Sequence, residues 1–229
     1  MQTKLVEVFQ IGSEKGGIFD LPKEAWPAPG QYMPCQRALG DSEPLIPQVF
    51  QVIGEEGHLN VAPIPEDWQP GDILTIGTPQ GRGFTLPPDM RHLALLPYQV
   101  SPGRILCLMR EALNMGAAVS LFSDAVPPVE IMNRLPAAVE VSPISSLLEN
   151  LDWPDFLAAD LERGDLPAFS TLFEQVDLKF KGQVLVRTAM PCRGVGECGV
   201  CAVRTTKGWR LACADGPVFA IKDVLHVAQ

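Results

Sequence analysis

Four of the six cysteines, Cys192, Cys198, Cys201 and Cys213, crowd into one C-terminal stretch, PCRGVGECGVCAVRTTKGWRLACADGPVF, with the spacing C-x5-C-x2-C-x11-C. No other feature constrains the fold as strongly. At 229 residues the chain can bury a core without cross-links, so in a reducing compartment such crowding points to metal rather than to disulfides. A [2Fe-2S] cluster takes four thiolates on two irons, and a loop that supplies three of them must bend tightly around the inorganic sulfides. Gly194, Gly196 and Gly199 lie between the first three cysteines. Without Cβ atoms they let the backbone pass close to the cluster, adopt positive φ and turn N–H groups towards sulfur. Cys213 then arrives from the far strand of a hairpin whose runs, 200–204 and 209–212, flank residues 205–208. A zinc site is the alternative, although zinc ribbons use two CxxC knuckles and need no glycine-rich loop. Gly194 to Gly199 also satisfies G-x-G-x-x-G, but it lies between cysteines and opens no helix, so it is no dinucleotide fingerprint.

Charge also sets the segment apart. Between positions 179 and 213 stand Lys179, Lys181, Arg187, Arg193, Arg204, Lys207 and Arg210 against Glu197 alone, a local +6 in a chain of net charge -9, which leaves -15 to the other residues. Nearby cations favour the reduced form of an anionic cluster and make a basic docking face. The acidic total speaks against nucleic acid, whose phosphates require clustered Lys and Arg. The N-terminus lacks the basic start and apolar run of a secretion signal, and no apolar run approaches the ~20 residues that span a bilayer. The expectation is a cytoplasmic protein without membrane insertion.

Upstream, the rhythm divides the chain into three. Residues 1–90 carry short apolar or alternating runs, at 4–11, 48–53, 58–64 and 72–76, punctuated by Gly and Pro, which suggests an antiparallel β-barrel. Residues 91–178 read as an α/β, Rossmann-like layer: a strand at 92–96, a helix opening at Ser101-Pro102 and closing at Gly116, and a strand at 117–122. Weaker strands follow at 138–141 and 156–159, with helices at 144–150 and 167–176. Residues 179–229 open on a strand at 184–186 and form the cysteine domain. The fold class is therefore α+β with several modules. Cys107, mid-helix, reads as a buried small side chain, and Cys35, beside Pro34, as an inert loop thiol. His58, His92 and His226 are isolated, and no hydrolase, metalloprotease or P-loop motif occurs.

From Glu197-Cys198-Gly199 to Cys213-Ala214-Asp215-Gly216-Pro217-Val218-Phe219 the chain resembles the electron-transfer subunits of bacterial dihydroorotate dehydrogenase. More broadly it is similar to the ferredoxin-reductase-like iron-sulfur flavoproteins. The resemblance implies a flavin barrel, a nucleotide-binding domain and a C-terminal [2Fe-2S] domain, in the order of the three modules. The family usually has four residues between the first two cysteines; here Cys192 and Cys198 enclose five. In the barrel, Pro29-Gly30-Gln31-Tyr32 matches the turn before the flavin strand, and Gly71-Asp72 with 77–84 matches the segment that ends the barrel. The flavin motif itself falls at Gln48-Val49-Phe50-Gln51. Gln48 stands where a diphosphate-binding Arg is expected and Gln51 where a small hydroxyl residue belongs, so Gln48, Phe50 and Gln51 are degenerate flavin positions. A neutral amide cannot supply the charged bidentate clamp of Arg. Where the family has a run of glycines for the pyrophosphate, this chain has Pro97-Tyr98-Gln99-Val100-Ser101-Pro102, and the later Cys-Gly-Pro is missing near 156–161.

These readings converge on an electron-transfer subunit that relays electrons through a [2Fe-2S] cluster within a multi-subunit oxidoreductase, alongside a redox partner subunit. The cluster would be held by Cys192, Cys198, Cys201 and Cys213 on a loop shaped by Gly194, Gly196 and Gly199. No catalytic residue is expected, which suits a subunit more than a stand-alone catalyst. FAD is admissible but not favoured, and NAD(P) is not expected. The alternatives are an FAD-containing, NAD(P)H-dependent reductase using altered flavin contacts and, in another class, a zinc-stabilised interaction module.

Overall fold

The computed structural model describes residues 1–38, 46–54, 57–174, 178–192 and 194–225. Arg193, His226 and Val176, at the end of the expected helix 167–176, lie outside them.

Six strands close a barrel: β1 (Gln2–Ile11), β2 (Glu14–Phe19), β3 (Tyr32–Arg37), β4 (Gln48–Gln51), β5 (Leu59–Ala62) and β6 (Ile73–Ile76). Their order is β1-β2-β5-β4-β3-β6, with antiparallel pairing throughout. Closure leaves no open edge, and alternate residues point inward, so Leu5, Phe19, Met33, Val49, Leu59 and Leu74 fill the interior around Trp68. Four of these strands match the expected runs. The other two, β2 and β3, break the usual strand composition. In β2 a Cβ on Gly16 would stand 2.4 Å from the ring of Phe9, so close strand packing requires glycine there. In β3 Pro34 offers no N–H but its carbonyl accepts from Gly77 at 2.8 Å. Cys35 is on this strand, fully buried in the barrel core, and not in a loop.

The chain then alternates strand and helix: β7 (His92–Pro97), α1 (Cys107–Asn114), β8 (Ala118–Phe122), α2 (Val129–Met132), β9 (Val139–Ser142), α3 (Ile144–Glu149), β10 (Phe156–Glu162), α4 (Leu166–Thr171) and β11 (Lys181–Arg187). A two-strand hairpin, β12 (Ala202–Thr205) with β13 (Gly208–Leu211), precedes β14 (Val218–Ala220) and α5 (Ile221–Val224). The six-strand sheet runs β14-β11-β10-β7-β8-β9, parallel except for the antiparallel edge strand β14. Its central strands are buried on both faces, as near-continuous apolar sequences such as HLALLP require. On β7, Leu93 and Leu95 face the α1 side with Ile105, Leu108 and Met109, whereas Ala94 and Leu96 face the side that holds α3, α4 and the cysteine segment.

The expected strand at 184–186 is part of β11 and lies inside this sheet, between β10 and β14. The cysteine segment is therefore an excursion that leaves the sheet after β11 and rejoins it as β14. The stretch before α1 also differs from the expected helix. Residues Pro102–Arg104 form one 3-10 turn, α1 proper begins at Cys107, and the hydroxyl of Ser101 caps nothing. Gly116, at φ 79°, ends the helix as expected. Among the described residues no helix is long and apolar enough to cross a membrane.

Candidate iron-sulfur centre

The loop between β11 and β12 folds back on itself through three left-handed glycines, Gly194 (φ 85°), Gly196 (φ 83°) and Gly199 (φ 70°). At Gly194 space is limiting as well as φ: a Cβ there would stand 2.2 Å from Gln80 Oε1 and 2.5 Å from the Tyr32 hydroxyl. The turn aims the backbone N–H groups of Gly196, Cys198 and Glu197 at the sulfur of Cys192. Those donors, Gly196 first, together with the Cys198 side chain, lower the Cys192 thiol to about 6. Cys213 comes in from beyond β13, where burial first, then Cys201 and Cys192, push its thiol up to about 12.

The four side chains thus form one linked row: Cys192 hydrogen-bonds with Cys198, and Cys213 with both Cys192 and Cys201. Four neighbouring thiols, one of them beside a fan of N–H donors, are the donor set that an all-cysteine iron-sulfur cluster requires. Cys198 is exposed, Cys192 half-buried, and Cys201 and Cys213 are buried.

The barrel braces this loop, which the sequence did not foretell. The Tyr32 hydroxyl lies 3.0 Å from Gln80 Oε1 and 3.2 Å from the carbonyl oxygen of Cys213. Burial, then Cys213, Cys201 and Cys192, raise its phenol above the ordinary tyrosine value. Gln48 Nε2 donates to Met190 O at 3.0 Å, two residues before the first cysteine. From the α/β layer, Arg163 donates to the carbonyls of Val200 (2.6 Å) and Ala202 (3.1 Å). Ala212 N donates to Cys201 O at 3.0 Å, which fixes the third and fourth cysteines side by side. Only Tyr32 carried a signal, the Pro-Gly-Gln before it; sequence spacing gives no hint that it meets residue 213.

The local +6 is not one open face. Arg187 points inward, Lys179 pairs with Asp152 at 3.0 Å and Lys207 with Asp223 at 2.9 Å. Among the described residues no carboxylate pairs with Arg163, Arg204 or Arg210. The bystander thiols stay apart: Cys107 Sγ reaches only the Gly103 carbonyl, at 3.7 Å.

Two of the three degenerate flavin positions, Gln48 and Phe50, line a cleft of about 440 Å³ between barrel and α/β layer, walled also by Pro63, Glu162, Arg187 and Thr188. Its polar groups are already committed. The amide of Gln48 donates to the carbonyls of Ile46 and Met190. Arg187 spreads over Glu14 (3.0 Å), Asp160 (3.1 Å) and Glu162 (3.2 Å). Arg104, 1% exposed, meets Glu14 through both terminal nitrogens and lies over the Phe50 ring at 5.8 Å. Burial pushes the Asp160 carboxyl up, against the pull of Arg187 and Arg104. Among the described residues that line this wall the cation is Arg187, already spread over three carboxylates, so the lining does not favour a flavin diphosphate. Gln51 pairs with Val61 in the barrel and offers no hydroxyl. At the nucleotide position, Tyr98 packs edge-on against Phe169, 5.5 Å between centroids, and its N–H bonds Asp160 O at 2.8 Å.

This fold, a closed six-strand barrel before a parallel sheet, is shared with solved ferredoxin-reductase-like structures. An NADH-dependent reduced ferredoxin-NADP oxidoreductase superposes with a TM-score of 0.71 at 15% identity, over 95% of this chain and 87% of that one. The ferredoxin reductase of carbazole 1,9a-dioxygenase gives 0.60 at 14% identity, over 78% and 66%. The fold is therefore that of the ferredoxin-reductase-like structures. More particularly, residues 188–225 match the iron-sulfur cluster binding domain of dihydroorotate dehydrogenase B, in line with the resemblance expected from the cysteine segment. The dihydroorotate dehydrogenase B (NAD(+)) electron transfer subunit of Desulforamulus reducens is 25% identical over 194 residues, 75% of this chain and 71% of that protein. Subunit gamma of sulfhydrogenase 1 from Pyrococcus furiosus is 43% identical over 42 residues, 18% of this chain and 14% of that protein.

Proposed function

We propose that this chain is the iron-sulfur electron-transfer subunit of a multi-subunit oxidoreductase, with Cys192, Cys198, Cys201 and Cys213 as the ligands of a [2Fe-2S] cluster. The observation that carries this reading is the meeting of Cys213 with the cysteines of a left-handed glycine loop, inside the segment that matches a known cluster-binding domain. When bound, such a cluster takes up and releases one electron at a time. The chain's own residues do the rest. The N–H groups of Gly196, Glu197 and Cys198 offset negative charge on the Cys192 sulfur. Val203 and Ala212, both fully buried, shield Cys201 and Cys213 from water, and exposed Cys198 leaves one side open to a partner. The two named relatives are subunits of larger enzymes, which supports a partner subunit here.

The test is a reductive titration of anaerobically purified protein with its four cysteines replaced singly by serine. The wild type should take up one electron per chain with an S = 1/2 EPR signal. Each of Cys192→Ser, Cys198→Ser, Cys201→Ser and Cys213→Ser should lose or alter that signal, while Cys35→Ser and Cys107→Ser keep it. Uptake of two further electrons by stoichiometric flavin, or a wild-type signal from all four variants, would refute the assignment.

A further inference from the structure

The hairpin beyond the cluster loop exposes apolar side chains that the core does not use. Trp209 is 69% exposed and Val195, on the cluster loop itself, 66%. Tryptophan is enriched among the anchors of protein contacts, so an open Trp beside other apolar side chains is a candidate anchor. The strand register ties these residues to the proposed cluster. Trp209 lies directly opposite Arg204, and Leu211, two residues on, lies opposite Ala202, so all four share one face of the hairpin. Leu211 in turn meets the cluster loop, its Cδ1 only 3.8 Å from where a Cβ on Gly196 would be. Two residues of strand span about 7 Å, which puts Trp209 within one side chain's reach of the loop. The surrounding charge is mainly positive, with Asp215, whose Oδ2 accepts from the Leu211 N–H at 2.9 Å, as an acid beside the face. Arg163 and Arg204 border the face without a carboxylate partner among the described residues, and Glu197 is the single acid of the segment between the first and fourth cysteines.

Resting on the electron-transfer reading above, we propose that the face built by Trp209, Leu211, Arg204 and Val195 is the docking surface for a redox partner protein that presents an acidic rim around an apolar centre. Trp209 anchors the apolar centre. Arg204 and Arg163 select the sign of the partner, and Cys198 is exposed on the same loop as Val195. Electrostatic selection of this kind raises the encounter rate at low salt and fades as salt screens it.

The experiment follows electron transfer from dithionite-reduced protein, freed of excess dithionite, to ferric cytochrome b5, an acidic one-electron acceptor, and to ferric cytochrome c, a basic one. Each event moves one electron onto haem iron(III), giving iron(II), with no bond made or broken. The proteins compared are the wild type, Trp209→Ser and Arg204→Glu, both changes on exposed side chains, and methyl viologen exchange reports on cluster integrity. The wild-type rate to cytochrome b5 should fall as salt rises, the rate to cytochrome c should not, and both variants should lose about tenfold to cytochrome b5 at low salt. Exchange with methyl viologen should be unchanged in all three. Wild-type rates to cytochrome b5 in both variants would overturn the docking face while leaving the cluster intact, as would a self-dimer abolished by Trp209→Ser. A wild-type protein without a visible charge-transfer band would instead overturn the electron-transfer reading beneath it.

Discussion

The hydroxyl of Tyr32, on the third barrel strand, stands 3.2 Å from the carbonyl oxygen of Cys213, 181 positions later in the chain. It also reaches Gln80 Oε1 at 3.0 Å, so one barrel side chain clasps the backbone of the fourth cysteine. The iron-sulfur segment is thus braced by the barrel as well as by the sheet it leaves and rejoins.

Tyr32→Phe removes this clasp without changing the packed ring. Loss of a buried hydrogen bond of this type costs about 1 kcal/mol, and Gln80 is left with an unanswered acceptor. We expect a correspondingly lower urea midpoint and faster loss of visible absorption on exposure to a chelator. An unchanged rate of bleaching would show that Tyr32 packs against the loop without holding it.

Gly194 and Gly199 separate two demands on the loop. Both have positive φ, but a Cβ meets Gln80 and Tyr32 at Gly194 and nothing within 4 Å at Gly199. Gly194→Ala should therefore abolish or greatly reduce iron incorporation, whereas Gly199→Ala should cost only the backbone strain of about 1 kcal/mol. Iron content of the two variants, purified in parallel, checks the order; equal loss would assign the effect to φ alone.

Arg104 is buried between Glu14, Asp160 and the Phe50 ring. Removing one member of such a buried ion group strands the others, at a cost of about 3 kcal/mol or more. Arg104→Met should show that loss in urea unfolding, and Arg104→Met/Glu14→Gln should recover part of it. Neither should change the cluster's visible spectrum, because the network lies at the cleft and not at the cysteines.

Asp155 anchors the start of the first strand of the α/β sheet, its Oδ2 accepting from the N–H groups of Arg91 (2.8 Å) and His92 (2.9 Å). These donors, Arg91 foremost, hold its carboxyl below the usual range. A carboxylate depressed in the fold adds stability above its unfolded pKa of about 3.9 and loses it as pH falls through the lower folded value. The group is half-exposed, so Asp155→Asn should cost a few tenths of a kcal/mol at pH 7. The gap to wild type should narrow as pH falls below the unfolded value of about 3.9; a gap that stays constant with pH would contradict the charged interaction.

Much of this molecule was legible before its coordinates. The cysteine spacing and its glycines marked the segment that matches a cluster-binding domain, and the apolar runs located β1, β4 to β10 and most of α1. What was missed follows from tertiary requirements that leave no local pattern. The second strand carries Gly16 because Phe9 packs over it, and the third admits Pro34 because its carbonyl still pairs. Arg187 counted as a surface cation by position, yet Asp160, in the neighbouring strand, draws it inward. Tyr32, Gln80, Gln48 and Arg163 brace the loop from afar, and linear spacing does not encode such meetings.

Metal and acid-labile sulfide analysis of anaerobically purified protein, with flavin measured on the same sample, tests the central claim most directly. The account predicts two irons and two sulfides per chain, with neither zinc nor stoichiometric FAD. Zinc without iron and sulfide, or one FAD per chain, would contradict it.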